Sequence, residues 1–440
     1  MYPTIYHLVK DLLGIDIFFL KPFQSFGFFI AISFLLSSWF LIKELKRKEK
    51  LGVISSHTKK VMVGKAASIS ELLLSGIFGF IIGFKLIEII FDFDSFVSNT
   101  QGFIFSMQGS YIGGFLGAII GVYLRYREKQ KDKLEKPKLE DVEVHPYELT
   151  GNIIILGAVF GIIGAKIFDN LENFDSFLND PIGSLFSFSG LTFYGGLILA
   201  AIVIILYVKK RNISPLKICD IAAPSLILAY ALGRIGCQVA GDGDWGILNS
   251  AYISQNETKV ELVKQPSQYK DSLLKYQVYY SREFDFKDVA EVPHYSVKAP
   301  SWLPTWLFAY NYAHNVNGEG VPIKSIKNKW AVNGKDYNYV LPLPVFPTPI
   351  YEIIVCLLFF LLLWSIRKKI TTTGVMFALF LMLNGIERFF IEKIRVNTKY
   401  NILGGITQAE IISTLLFIAG LVLLIYVLNQ KKKEQKEIVS

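Results

Sequence analysis

The sequence predicts an all-α fold, a polytopic bundle of about nine membrane-spanning helices that carries one large polar insert. Three observations predict this class. Hydrophobic residues make up 52% of the 440 residues. Apolar runs long enough to approach the thickness of a bilayer recur about nine times along the chain. Every second loop is basic, and the short loops at 92–106 and 170–190 lack lysine and arginine, as in multi-pass membrane proteins.

The charge of the loops predicts the orientation of the spans. Basic loops follow the first, third, fifth, seventh and ninth runs, whereas residues 92–106 and 170–190 contain no lysine or arginine. The positive-inside rule therefore places the N-terminus outside and the C-terminus in the cytoplasm. The predicted spans lie near residues 22–42, 70–91, 107–124, 149–169, 191–208, 218–235, 349–366, 373–391 and 409–429.

Four segments follow from this topology. Residues 1–246 hold the first six spans, and residues 347–430 hold the last three. Residues 247–346 are rich in Tyr, Lys, Asn and Pro and are too polar for a membrane, so they form an exported insert. Residues 431–440 form a basic cytoplasmic tail.

Residues 70–128 and 149–210 resemble each other and predict a duplicated helical hairpin. Phe93-Asp94-Ser95-Phe96 matches Phe174-Asp175-Ser176-Phe177, and each copy has a glycine pair where its second helix begins. Lys85 with Glu88, and Lys166 with Asp169, lie three residues apart and so share a helix face. The simplest interpretation is a duplication that widens the bundle, although repeated hairpins also occur in transporters.

Composition argues against several classes of protein. The net charge of +9 is concentrated in short loops, so it indicates topology and lipid contact rather than nucleic-acid binding. The three cysteines include no CxxC pair, and the five histidines are scattered. No disulfide framework, metal site or cofactor is therefore predicted.

Residues 233–246 are the most informative stretch, because they place an arginine, two aspartates and several glycines where an apolar run ends. Arg or Asp at the centre of a membrane helix costs about 2.5–3.5 kcal/mol on insertion scales. Charge retained near such a position usually serves a site, and glycine lets a backbone approach a ligand closely.

Other motifs accompany this stretch. Gly190-Leu191-Thr192-Phe193-Tyr194-Gly195-Gly196 precedes the fifth span, and Pro349-Ile350-Tyr351-Glu352 opens the seventh. Arg388-Phe389-Phe390-Ile391-Glu392, followed by Arg395, closes the eighth. Together with residues 233–246, and with Phe26-Gly27 in the first span, these motifs resemble the prolipoprotein diacylglyceryl transferase family. Order and spacing agree from about residue 150 onward, apart from the insert.

The resemblance implies an enzyme of the bacterial cytoplasmic membrane with its active site toward the periplasm. Its partners would be phosphatidylglycerol, other membrane lipids and the lipobox peptides of prolipoproteins, and no cofactor or nucleic acid is implied. The reaction moves diacylglycerol onto the lipobox cysteine, so that a thioether forms and glycerol phosphate leaves.

The residues fit this chemistry. A thiol with a pKa of about 8.5 needs a base or a positive field, and arginine's planar fork suits a phosphodiester. Arg234 and Arg388 are therefore predicted to hold the phosphate, and Glu392 with Asp242 or Asp244 to orient them, with Tyr194 at the reacting centre. Asn384, Arg388, Glu392 and Arg395 share one helical face. The glycines predicted to bind phosphatidylglycerol are Gly195, Gly196, Gly233 and Gly236.

The sequence also departs from the family pattern. Tyr194 stands where the family usually has a histidine, its proposed proton acceptor, and Cys237 stands where it has an asparagine. One extra residue leaves Asp242 and Asp244 as alternatives for the family's glutamate. Asn384 and Phe26 replace tyrosines. The general base is thus open, and His314 in the insert is a further candidate.

Two other functions remain open. A lipid transporter or flippase would use the repeated hairpins and make no covalent product. A catalytically inactive relative that binds lipoproteins would explain the missing histidine.

Overall fold

The computed structural model describes residues 1–98, 100–186, 192–284, 291–324, 330–332, 335–395, 399–400 and 405–439. Most of this part of the chain is helical. The α-helices, in chain order, are α1 Ile5–Leu13, α2 Ser25–Lys50, α3 Ile69–Phe91, α4 Phe93–Ser98, α5 Thr100–Phe105, α6 Tyr111–Lys131, α7 Thr150–Glu172, α8 Phe174–Asn179, α9 Pro181–Phe186, α10 Phe193–Lys209, α11 Pro215–Ala240, α12 Pro266–Lys275, α13 Gln277–Phe284, α14 Thr348–Ile366, α15 Val375–Glu392 and α16 Gln408–Val439.

Each predicted span falls on one of these helices. Among the described residues, six helices are long and apolar enough to cross a membrane, so the chain is a multi-pass membrane protein. These six are α2, α3, α7 with the turn before it, α11, α14 and α16. The helices α6, α10 and α15 also coincide with predicted spans, but they are more charged or shorter. The count of about nine spans stays a prediction.

The all-α prediction is incomplete, because short strands pair in the loops and in the insert. The strands are β1 His57–Val63, β2 Lys138–Val144, β3 Leu248–Asn249, β4 Tyr252–Gln255, β5 Lys259–Leu262, β6 His294–Tyr295, β7 Val321–Pro322, β8 Ala331–Val332, β9 Lys335–Asp336, β10 Tyr339–Val340, β11 Lys399–Tyr400 and β12 Ile406–Thr407. They form two-stranded sheets, of which β4 with β5 is antiparallel and β3 with β6 is parallel. Strands of two residues leave no periodic pattern for a sequence to reveal.

The chain divides into two compact units. Unit 1 contains Met1–Phe29, Thr58–Glu143 and Ile235–Ile350, and unit 2 contains Ile30–His57, Val144–Arg234 and Tyr351–Ser440. The insert at 247–346 lies within unit 1, whereas residues 1–246 contribute to both units.

In unit 1, α3 and α6 form the first copy of the predicted hairpin. Ser68 and Glu71 cap α3 reciprocally, and Ser110 caps α6. Lys85 Nζ on α3 donates to three backbone carbonyls of the connecting segment, each at 2.7 Å. In the second copy, in unit 2, Lys166 Nζ lies 3.1 Å from Asp169.

Glycines let the two helices of the first hairpin touch along their backbones. A Cβ added to Gly117 would lie 2.1 Å from the carbonyl oxygen of Gly79, and one added to Gly83 would lie 2.1 Å from that of Gly113. Membrane helices associate through such small residues because close contact replaces the missing hydrophobic drive.

Gly117→Ala is therefore expected to destabilise the protein by about 1–3 kcal/mol, the usual cost of overpacking. Gly161→Ala on α7 is the matched control, since an added Cβ there meets nothing within 4 Å. Removing a helix glycine at an open position ordinarily stabilises by up to about 1 kcal/mol. Free energies of unfolding in a detergent titration test this. Equal changes in the two variants would contradict the packing account.

The insert has its own core in unit 1. Tyr312 and Leu343 are almost completely buried there, together with Tyr280 and Leu341. Asn249 is fully buried and fixes the neighbouring loop, because its side-chain amide donates to the carbonyls of Val297 and Phe308. The insert is thus a folded body rather than a loose linker.

Unit 2 holds α15 and most of α11 and α14, the helices that carry the candidate site residues. Pro215 and Pro349 lie in the first turns of α11 and α14, where a missing N–H costs nothing. The buried Asp220 on α11 accepts hydrogen bonds from the backbone N–H groups of Gly374 and Phe377, at 2.6 and 2.8 Å. A carboxylate at a helix N-terminus is favourable, so Asp220 fixes the start of α15 against α11.

Candidate active site

Helix α11 brings Arg234 into a buried cluster in unit 2. Half of the apolar stretch of α11 is buried, whereas 28% or less is buried in each of the other five candidate spans. Tyr230 lies one turn before Arg234, on the same face of the helix. The guanidinium lies 5.2 Å from the centroid of the Tyr230 ring, and only 14% of the Arg234 side chain is exposed.

Glu352, in the first turns of α14, joins this arginine to the second one. Its side chain has no exposed surface. One carboxylate oxygen, Oε2, lies 3.0 Å from Arg234 Nε. The other, Oε1, accepts a hydrogen bond of 2.9 Å from the Tyr230 hydroxyl and lies 3.5 Å from Arg388 Nη1. Glu352 therefore bridges helices α11 and α15 through both of its oxygens.

Helix α15 provides Arg388, Glu392 and Glu387. Arg388 Nη2 lies 3.4 Å from Glu392 Oε2, so the pairing predicted for these residues is present. Glu387 and Glu392 are both buried, at 4% and 3% exposure. Asn384 is predicted to share a helical face with Arg388 and Glu392. Its side-chain amide donates to the carbonyl of Phe380 in its own helix. Arg395 lies beyond the end of α15.

A buried charge is tolerated when it is paired, and unpaired burial costs several kcal/mol. In this cluster the carboxylates of Glu352 and Glu392 are covered, while the arginines keep 14% and 23% of their side chains exposed. The arginine side chains are thus more exposed than the carboxylates with which they pair. The cluster is suited to binding an anion by bidentate hydrogen bonds.

Tyr194 is the second residue of α10 and is half-buried. It lies within electrostatic range of Arg388. Gly195 and Gly196 pack against α7, since a Cβ at these positions would lie 2.4 Å from Phe168 Cβ and 2.6 Å from the Gly161 carbonyl oxygen. Helix packing thus explains both glycines without a ligand. Gly190 and Leu191, at the start of this predicted loop, lie outside the described residues.

The remainder of the 233–246 stretch belongs to unit 1. Gly241 and Gly243 have φ angles of 69° and 78°, which explains why glycine is needed after α11 ends. Asp242 and Asp244 occupy this turn, and the Asp244 carbonyl accepts a hydrogen bond from Thr348 Oγ1.

Two glycines of α11 lie against α2. An added Cβ at Gly236 would lie 3.1 Å from the Phe26 carbonyl oxygen, and one at Gly233 would lie 3.4 Å from Ile30 Cδ1. These contacts are at the limit of ordinary packing. Close helix contact therefore favours glycine at 236, whereas it places no steric demand for glycine at 233.

His314, the further candidate in the insert, has a structural role in unit 1. It is 7% exposed and stacks on Trp330, with ring centroids 4.1 Å apart. Its Nδ1 donates to the Tyr337 carbonyl oxygen at 3.2 Å. Burial lowers the pKa of His314 to about 4, so the ring is neutral at pH 7. These contacts account for the residue as part of the fold of the insert.

Within the described residues, no group of three or more His, Cys, Asp or Glu side chains is placed to hold a metal ion.

Residues 134–426, more than half of the chain, match the family model of prolipoprotein diacylglyceryl transferase. The chain belongs to the prolipoprotein diacylglyceryl transferase family. The match includes every residue of the cluster and begins after the first copy of the hairpin, α3 with α6.

Individual relatives agree with the family. A phosphatidylglycerol–prolipoprotein diacylglyceryl transferase of Leptospira interrogans is 30% identical over 161 residues, which span 31% of this chain and 47% of the relative. The chain thus spans about half the length of that relative. The enzyme of the same name from Staphylococcus haemolyticus is 25% identical over 312 residues, with 71% of this chain and 80% of the relative covered. That of Streptococcus agalactiae is 24% identical over 322 residues, with 72% and 89% covered.

The sequence pattern missed three residues of the cluster as site residues. Glu352 ends the Pro349-Ile350-Tyr351-Glu352 motif. A carboxylate in the first turns of an apolar helix is costly without a partner, and this cost indicates a role for Glu352. Glu387 directly precedes Arg388 and is likewise a carboxylate in an apolar helix, near the C-terminal end of α15. Tyr230 carries no such signal, because tyrosine is common near membrane interfaces.

Proposed function

We propose that the chain transfers the diacylglyceryl group of phosphatidylglycerol to the cysteine thiol of a prolipoprotein lipobox. The sulfur attacks the glycerol carbon that carries the phosphate. A C–S bond forms, the C–O bond to phosphate breaks, and glycerol phosphate leaves with the bonding electron pair. The thiol proton is released to a base or to solvent.

The observation that carries this proposal is the cluster of Arg234, Glu352 and Arg388, in which one buried carboxylate spaces two guanidinium groups from different helices. A phosphodiester has two non-bridging oxygens that share one negative charge, and such a pair can hold both. As the C–O bond breaks, negative charge grows on the phosphate, and preorganised donors stabilise it at no further cost of reorganisation.

The other residues take supporting roles in this proposal. Glu392 orients Arg388, Glu352 orients Arg234, and Tyr194 lies at the reacting centre. The positive field of the arginines favours the thiolate, which is the nucleophile. The reaction uses no cofactor.

We place the chain in the bacterial cytoplasmic membrane, with the N-terminus outside and the C-terminus in the cytoplasm. The alternating basic loops support this orientation. It puts residues 233–246 and the insert on the outer face, where a lipid headgroup and an exported peptide can meet.

Rescue of a bacterium depleted of its own transferase tests the function in cells. Expression of this chain is expected to restore growth and diacylglyceryl-modified lipoprotein, while Arg234→Ala, present at the same level, is expected to restore neither. Failure of the unmodified chain at normal membrane levels would contradict the proposal and favour an inactive relative. Movement of phospholipid between leaflets without lipidated product would favour a flippase.

A further inference from the structure

Tyr230 belongs to the cluster, although no motif of the sequence points to it. It lies on α11, partly buried, with its ring beneath Arg234 and its hydroxyl against Glu352. Arg234 Nη2 also lies 3.4 Å from the Tyr230 oxygen. The phenol thus contacts both the arginine of its own helix and the carboxylate of α14.

The Tyr230 hydroxyl donates a hydrogen bond to the same oxygen of Glu352 that faces Arg388. Tyr230 donates to Glu352 Oε1 at 2.9 Å, while Arg388 Nη1 stays 3.5 Å from the same atom. A full charge-assisted N–H···O bond is about 2.7–2.9 Å long. The contact of Arg388 with Glu392 is likewise long, at 3.4 Å. Arg388 is therefore held in place by two carboxylates without closing on either.

We propose that Tyr230 is a positioning residue, whose hydroxyl occupies Glu352 Oε1 and so keeps Arg388 available for the phosphate of phosphatidylglycerol. This inference rests on the function proposed above. Without the hydroxyl, Oε1 loses its nearest donor, and a fully buried carboxylate oxygen draws the remaining donor toward it. Arg388 then closes on Glu352, and its donors point away from the lipid.

Asn384 on α15 does not take this part. Asn384 is one turn before Arg388, as Tyr230 is one turn before Arg234, but its amide donates to its own helix. The role thus comes from α11 rather than from α15.

Tyr230→Phe isolates the hydroxyl, because phenylalanine keeps the ring beneath Arg234. Transfer kinetics are measured on the full-length protein with phosphatidylglycerol and with a lipobox peptide, each varied separately. Loss of a hydrogen bond to a charged group predicts a KM for phosphatidylglycerol about tenfold higher. The KM for the peptide is expected to stay the same. Tyr207→Phe is the matched control, since the Tyr207 hydroxyl accepts a hydrogen bond from Asn152 on α7, and it is expected to change neither constant.

The measured constants separate positioning from structure. Partial unfolding lowers kcat per mole of protein and leaves both KM values alone, so an unchanged KM for phosphatidylglycerol in Tyr230→Phe would overturn the inference. In an Arg388→Lys background, adding Tyr230→Phe is expected to raise that KM by less than about twofold, since residues that act through one another are not additive. A full additional tenfold rise would also overturn it. Absence of product from the unmodified protein would overturn the proposed function and, with it, this role of Tyr230.

Discussion

Replacing Arg234 with alanine is expected to lower the rate of diacylglyceryl transfer by about 10²–10³-fold, the usual cost of removing a preorganised donor that stabilises developing charge. Arg234→Lys is expected to recover only part of this loss. Arg234 pairs with Glu352 through Nε and can still face an anion with the rest of its planar guanidinium. Lysine has a single charged nitrogen and cannot do both at once.

Initial rates of thioether formation measure the effect. The matched control is Arg211→Lys, at the loop between α10 and α11, where the side chain donates to the Tyr207 carbonyl. That variant keeps the loop charge and is expected to transfer at the normal rate. If Arg234→Lys were as active as Arg211→Lys, the proposal that the guanidinium groups of Arg234 and Arg388 hold the phosphate would be wrong.

The second large effect is expected for Glu352→Ala. Removing one partner of a buried ion pair leaves an uncompensated charge and costs about 3–5 kcal/mol. The Glu352 side chain has no exposed surface and contacts both Arg234 and Arg388, so its removal takes a carboxylate partner from each of these arginines. We expect a lower free energy of unfolding in detergent together with loss of transfer.

Glu128→Ala is the comparison for the second prediction. Glu128 pairs with Arg125 on α6, but its side chain is 61% exposed, and exposed pairs contribute about 0–1 kcal/mol. A change in the free energy of unfolding for Glu352→Ala no larger than that for Glu128→Ala would contradict the description of Glu352 as the centre of the cluster.

Much of the helical framework could be predicted from the sequence, because a membrane requires long apolar helices that satisfy their own backbone. Every predicted span coincides with a helix. The strands of the insert could not be predicted, since pairs such as β7 with β10 involve two residues per strand and depend on tertiary contacts rather than on a local pattern.

The arginines were found for a similar reason. Arg234 and Arg388 are costly in apolar helices, so their presence alone predicts a role. What the sequence could not give is the geometry between helices. It did not predict that Glu352 lies between both arginines, that Tyr230 reaches that carboxylate, or that Asn384 turns to its own helix. These depend on how α11, α14 and α15 pack, which the Asp220 contact with the start of α15 helps to fix.

The most direct test of the account is transfer by the purified full-length protein in phosphatidylglycerol vesicles supplied with a lipobox peptide. One thioether-linked diacylglyceryl peptide is expected for each glycerol phosphate released, and both products are expected to be lost together in Arg234→Ala. Phospholipid that crosses the vesicle without a covalent product, or equal yields from the protein and its Arg234→Ala variant, would contradict the account.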